Sequence, residues 1–255
     1  MKKNVELIMH PTGVAEIIVD RPERHNAMTL PMYEDVLALI EQSTTTLGAG
    51  CILFRGTGGK SFISGTDISY FQDFTSGKQG LDYEAFVERV IDAVERIAVP
   101  TIAAIDGWAV GGGLALATAC DFRVCSNTSR FGAPIAKTLS NTLSSKNLAR
   151  LTAAFGVPRV KKMLLLADYV SADDALSCGY VYQVCPQGEL EATAHALAAK
   201  LIGLSSVTQG AVKESFRRLV VEQRLDDADL VEAVYGSQAF RDGVTAFTSP
   251  KKTKE

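Results

Sequence analysis

Tryptophan occurs once, histidine three times, and aromatic residues make up only 7% of the 255 positions. A basic excess is missing too: 26 Lys and Arg stand against 29 Asp and Glu, a formal charge of −3. Such a balance advertises neither nucleic acid nor an anionic membrane as partner. The five cysteines (Cys51, Cys120, Cys125, Cys178, Cys185) are odd in number and scattered, without a C-x-x-C pair. They read as small buried hydrophobes of a reducing compartment. Long apolar runs are absent as well. The longest uncharged one, Gly107 to Cys120, holds four glycines and is too short to span a bilayer. Met1-Lys2-Lys3-Asn4 leads directly into an alternating pattern, with no signal-peptide core, so a cytoplasmic protein is expected. What is present is 47% hydrophobic and 22% charged sequence, enough for a packed core under a soluble surface. The length suits one large domain, or one domain with a helical appendage.

Two alternating segments, Val5 to Met9 and Val14 to Val19, predict a hairpin turning at Pro11-Thr12-Gly13. A helix is expected from about Pro31 to Thr46, with Met32, Val36, Leu39, Ile40 and Leu47 on one face. Cys51 to Phe54 reads as a strand, Asp67 to Phe71 as a short helix, and 73–80 as a mobile loop. An amphipathic helix over Leu81 to Ile97 precedes a buried strand, Thr101 to Ile105. A buried helix over Leu114 to Cys120 and a strand over Phe122 to Cys125 follow. After Asn147 the pattern is almost wholly helical, near 147–155, 158–167, 171–178, 187–203, 207–224 and 227–240. This order predicts an α/β core over 1–200 and a helical part over 201–255.

Three glycine-containing segments are candidates for chemistry. Gly56-Thr57-Gly58-Gly59-Lys60-Ser61 superficially resembles a nucleotide P-loop. The position that needs the first glycine is Phe54, however, so a glycine-rich turn with an exposed lysine is the better reading. Gly111-Gly112-Gly113 sits where an apolar helix begins. There, free amides and the helix dipole favour a ligand oxygen, although tight helix packing explains glycine equally well. In Ser64-Gly65-Thr66-Asp67 the amides of Gly65 and Thr66 offer a second donor, while Asp67 reads as a helix N-cap. Two convergent N–H groups would stabilise a developing oxyanion.

Taken in order, these segments resemble the crotonase (enoyl-CoA hydratase/isomerase) superfamily over nearly the whole chain. The resemblance is carried by residues 21–28 (Arg21-Pro22-Glu23-Arg24-His25-Asn26-Ala27-Met28), 61–68, 100–107 and 111–117, then by Cys120-Asp121-Phe122-Arg123, Arg130-Phe131-Gly132-Ala133-Pro134 and 171–176. It implies a spiral of ββα units with a C-terminal helical trimerisation region, and trimers often paired into hexamers. It implies an acyl-CoA thioester substrate whose carbonyl lies between the Thr66 and Gly112 amides, with coenzyme A as part of the substrate and no tightly bound cofactor. Carried over by position, Arg24, His25, Asn26 and Lys60 would lie near the CoA nucleotide. Phe247 and Lys251 would close over it, although Lys251 and Lys252 also read as a solvated tail.

Departures from the family pattern bear on mechanism. Family hydratases place glutamates where this chain has Ala115 and Ile135, and neither side chain can move a proton. The stretch from Lys137 to Asn147 resembles instead the aryl-CoA dehalogenase branch, with Asn141 where that branch has a nucleophilic aspartate. Asn141, flanked by Thr138 and Ser140, is therefore a candidate functional residue; alternatively Ser144 or Ser145 caps the next helix and Asn141 shapes the turn. Glu84 and Glu88 are either a displaced acid or a solvated helix face. His10, His25 and His195 have no metal-ligand spacing, so no metal is expected. The expected function is thioester processing with atypical proton transfer. A non-catalytic acyl-CoA-binding homologue, or a decarboxylase or hydrolase type, is the alternative.

Overall fold

The computed structural model describes residues 3–249. Strands β1 (Val5–Met9) and β2 (Val14–Val19) form the expected antiparallel hairpin, with Val5 opposite Val19 and Met9 opposite Ala15. Helix α1 (Leu30–Glu41), begun by the Thr29 hydroxyl, runs on into a wider turn over 42–46. The chain then repeats one unit three times. Strand β3 (Cys51–Gly56), strand β4 (Ser61–Ile63) and helix α2 (Gly77–Glu95) make the first turn. The second is β5 (Thr101–Ile105), β6 (Trp108–Val110) and α3 (Gly112–Ala119), and the third is β7 (Phe122–Ser126), β8 (Arg130–Gly132) and α4 (Ser145–Phe155). Next come α5 (Val157–Leu165), β9 (Val170–Ser171), α6 (Ala172–Ser177), β10 (Gln183–Cys185) and α7 (Leu190–Ile202). Helices α8 (Ser206–Arg217), α9 (Ala228–Tyr235) and α10 (Gln238–Thr248) close the described chain.

The first strand of each unit joins a six-stranded sheet ordered β1-β2-β3-β5-β7-β10, parallel beyond the hairpin. The second joins a smaller sheet ordered β4-β6-β8-β9. This is the ββα spiral the resemblance implies. Both faces of the large sheet are covered, which is why its strands read as continuous apolar runs. Ile52 and Phe54 face a core containing Val90, Ile91 and Val94 of α2, whereas Cys51 and Leu53 face Ala194, Leu197 and Ala198 of α7.

Several expectations are corrected. The region after Asn147 also contributes β9 and β10. Strands β4, β6 and β8 are not among the expected strands, because three residues are too few to show a period of two. The loop expected over 73–80 is shorter: the Gln79 side-chain oxygen accepts the Thr75 and Ser76 N–H groups at 2.8 and 3.0 Å and starts α2 at Gly77. The single helix expected over 227–240 is two, interrupted at Gly236, with the Ser237 hydroxyl accepting the Phe240 N–H at 3.1 Å to begin α10.

Candidate active site

The parallel pairing of β4 with β6 sets Ser61 beside Trp108 and brings the ends of both strands together. Residues 64–67 leave one strand end, and the triple glycine leaves the other to open α3. Backbones meet closely here. A Cβ on Gly65 would lie 3.6 Å from the Gly112 nitrogen, and one on Gly112 would lie 3.8 Å from Thr66 Oγ1. A Cβ on Gly113 would come within 2.0 Å of the Ile63 carbonyl oxygen, so this glycine serves helix packing. Gly111 has φ +54, a conformation that favours glycine, and its amide donates to Gly132 O at 3.0 Å. Packing thus accounts for Gly113, and the positive φ for Gly111.

The Met28 N–H donates to Gly65 O and Met28 O accepts the Asp67 N–H, each at 2.8 Å, which turns the intervening Thr66 amide the other way. Gly112 begins α3, and the first helical bond of that turn is Ala115 N–H to Gly111 O at 3.0 Å. Among the described residues, neither the Thr66 nor the Gly112 N–H has a protein acceptor. Ala115 lies buried in the same first turn, and Ile135 opens the turn after β8.

Polar side chains that no local pattern announces also gather here. Tyr33 of α1 and Tyr83 of α2 both hydrogen-bond Thr66 Oγ1, at 3.1 and 2.7 Å. Tyr33 is fully buried and its hydroxyl would be 2.5 Å from a Cβ on Gly112, so the three hydroxyls form a chain running from Gly112 past Thr66 to the half-buried Tyr83. Burial raises both phenols: Tyr33 well above the usual tyrosine range, and Tyr83 to about 12. Positions 33, 66 and 83 share no local spacing, and each tyrosine reads as one more apolar residue of an amphipathic helix.

The acids nearby have other work. Asp67 accepts from Arg21 Nη1 at 2.7 Å and caps the turn over Ile68–Phe71 by accepting the Ser69 N–H at 3.1 Å. The Arg21 and Ser69 hydrogen bonds hold its carboxyl down at about 2. A depressed folded pKa contributes stability above the ordinary aspartate range near 4, lost as pH falls through about 2. The denaturation midpoint of the wild type is therefore expected to exceed that of Asp67→Asn at pH 6, with the gap closing between pH 4 and pH 2. A gap independent of pH would refute this role.

Glu84 and Glu88 are neither a solvated face nor aimed at Thr66. Glu84 accepts the Ser144 N–H at 2.9 Å, and Glu88 accepts the Ser144 hydroxyl at 3.1 Å and Arg150 Nη1 at 2.8 Å. Ser144 in turn caps α4 by accepting the Asn147 N–H at 3.2 Å. Asn141 lies exposed in the preceding loop and makes no side-chain hydrogen bond among the described residues, while its neighbours Thr138 and Ser140 bond back to Pro134 and Ile135.

Of the residues expected near CoA, Arg24, His25 and Lys60 are exposed on two loops that touch each other. Asn26 is the fastener between those loops and is corrected as a ligand contact. It has no exposed surface, accepts the Arg21 N–H at 2.9 Å, and donates to Thr57 O and Ser61 O at 2.9 and 2.7 Å. Phe247 on α10 stands 94% exposed, and Lys251 lies outside the described residues. The glycine turn before Lys60 is latched by Gln187 Nε2, which donates to Gly59 O at 2.8 Å.

Folding also assembles a set that local spacing concealed: His10, Glu16 and His195 present ligand-type atoms within 4.8 Å of one another. Arg55 already donates to the buried Glu16 carboxylate, as does His10 at 3.0 Å, and the His195 ring packs edge-on against that of His10.

Comparison with known proteins adds the decisive observation. The sequence profile of the enoyl-CoA hydratase/isomerase family matches residues 9–254. The chain belongs to this family. It is 28% identical to a crotonyl-CoA hydratase of Syntrophomonas wolfei, over 94% of this chain and 93% of that protein. It is 33% identical to the probable enoyl-CoA hydratase EchA17 of Mycobacterium tuberculosis, over 83% of each. A crystal structure of an enoyl-CoA hydratase/carnithine racemase from Magnetospirillum magneticum superposes with a TM-score of 0.86 at 27% identity, covering 97% of this chain and 93% of that one. Within this enoyl-CoA hydratase/isomerase frame the mixed α/β spiral is the family fold. No helix among the described residues is long and apolar enough to cross a membrane.

Proposed function

We propose that this family member processes an acyl-CoA thioester by holding its carbonyl oxygen between the Thr66 and Gly112 amides and stabilising the enolate or oxyanion formed there. The observation that carries this reading is the pair of partner-free N–H groups at adjacent strand ends, one of them in the first turn of α3, where the helix dipole adds to it. Proton movement does not pass through positions 115 and 135, where alanine and isoleucine stand. Arg24 and Lys60 are the cations offered to the CoA phosphates, and no tightly bound cofactor is needed. A homotrimer, or a pair of trimers built through the part after residue 200, would cover the exposed Phe216, Leu225 and Tyr235 and give Phe247 a surface to close on.

The test is a panel of 2-enoyl, 3-enoyl, malonyl-type and aryl CoA esters, with binding followed by calorimetry and products by mass spectrometry. Binding of the esters with turnover of at least one is the expected result. Tight binding with no turnover would make the chain a binding module, and no binding would end the reading. Asn141 is proposed to meet the bound acyl group, so Asn141→Ala should lower kcat/KM about tenfold, the value of one lost hydrogen bond. An unchanged kcat/KM would remove Asn141 from the site.

A further inference from the structure

We propose that Tyr83 is the proton donor of this site and that its substrate is a 2-carboxyacyl-CoA, which the protein decarboxylates. The inference rests on the thioester reading above and names the reaction that the surrounding groups permit.

The hydroxyl chain links both amide-bearing residues: Tyr33 reaches Gly112, Thr66 sits in the middle, and Tyr83 forms the outer end, 2.7 Å from Thr66 Oγ1. Tyr33 is sealed in the core, which leaves Tyr83 as the member that solvent can reload. Rings brace it from one side, with Phe71 at 4.8 Å and Tyr70 at 5.8 Å between centroids. Glu84 follows Tyr83 on α2, yet successive helical residues point about 100° apart, and its carboxylate goes to Ser144. Asp67 follows Thr66 and is committed to Arg21.

Phenols pushed up by burial stay protonated at neutral pH. Such phenols hold a proton that only a strong base such as an enolate carbon can take, and cannot act as bases themselves, while the Asp67 carboxylate, held at about 2, is a feeble base. With Glu84 bonded to Ser144, the groups around Thr66 offer a proton donor and no free base, which suits an enolate that arises without removal of an α-proton. Loss of a 2-carboxylate does this. The bond from Cα to the carboxylate carbon breaks, CO2 departs, and the electron pair forms the Cα–C1 double bond with charge on the thioester oxygen between the two amides. The Tyr83 O–H bond then breaks, its proton joins Cα, and the carbonyl reforms. Solvent reprotonates the phenolate, so one proton is consumed per CO2 released. Ala115, standing in the same helical turn as Gly112, keeps a charge off that wall, and an apolar setting favours a carboxylate leaving as neutral CO2.

The whole protein is incubated with methylmalonyl-CoA in D2O, with crotonyl-CoA and butyryl-CoA in parallel. The expected result is CO2 release and propionyl-CoA carrying one deuterium in a single configuration at Cα. Tyr83→Phe, which keeps the ring packing, should lower decarboxylation about 100-fold, leave butyryl-CoA affinity unchanged, and scramble the configuration of any residual product. Hydration of crotonyl-CoA without decarboxylation would overturn the proposal, as would a Tyr83→Phe variant of unchanged rate and stereochemistry. In either case retained butyryl-CoA binding leaves the thioester reading standing; absence of all CoA-ester binding sinks both.

Discussion

Gly113→Ala is expected to destabilise the protein by about 3 kcal/mol and to abolish turnover, the largest loss from any added methyl group in the site. The new Cβ would sit 2.0 Å from the Ile63 carbonyl oxygen and 2.7 Å from Ile63 Cβ, both in strand β4. A strand carbonyl cannot swing aside like a side-chain tip, so α3 must lift off β4. That movement separates Gly112 from Thr66, so stability and the thioester chemistry proposed for this pair fail together. At about 2–4 °C per kcal/mol for a chain of this size, thermal scanning should show Tm lowered by roughly 6–12 °C. Gly80→Ala is the control. It lies inside α2 with nothing within 4 Å of the added carbon, and should stabilise by about 0.5–1 kcal/mol. A Gly113→Ala protein with wild-type Tm would show that α3 does not rest on β4 as described.

Arg55→Ala should cost about 3–5 kcal/mol, because it strands a carboxylate that is 1% exposed. Glu16 lies on β2 and Arg55 on β3, paired in parallel register with Glu16 beside Leu53. Burial alone would raise the Glu16 carboxyl; the hydrogen bonds from Arg55 and His10 outweigh it and hold the group below the usual range. Its contribution is therefore present above the ordinary glutamate range and disappears as pH falls through the lowered folded value. Urea denaturation at pH 7 checks the magnitude. Adding Glu16→Gln to Arg55→Ala should recover part of the loss, since the stranded charge is gone. A double variant no more stable than Arg55→Ala would refute the account.

The resemblance to the family was legible because its signals are local. Residues 61–68 and 111–117 are contiguous runs, and a contiguous run announces a turn, a helix start or a close backbone approach without knowledge of distant residues. Asp67 behaves as the cap its position suggested, and Ser144 takes the capping role that competed with Asn141. Asn26 shows the limit. It stands in a family-like loop, but only the folded chain places Thr57 O and Ser61 O around its amide and removes it from solvent.

Side chains from separate elements were beyond reach for the same reason. Tyr33, Thr66 and Tyr83 come from a helix, a loop and another helix, and His10, Glu16 and His195 from a turn, a strand and a distant helix. Composition and motif order were sufficient for the family, the glycine-lined strand ends and the absence of carboxylates at positions 115 and 135. Which polar groups gather beside the strand ends was settled by packing. The parallel register of β4 with β6, and the way α1 and α2 lie over the strand ends, set three hydroxyls in one hydrogen-bonded line, and neither depends on how far apart the residues stand in the chain.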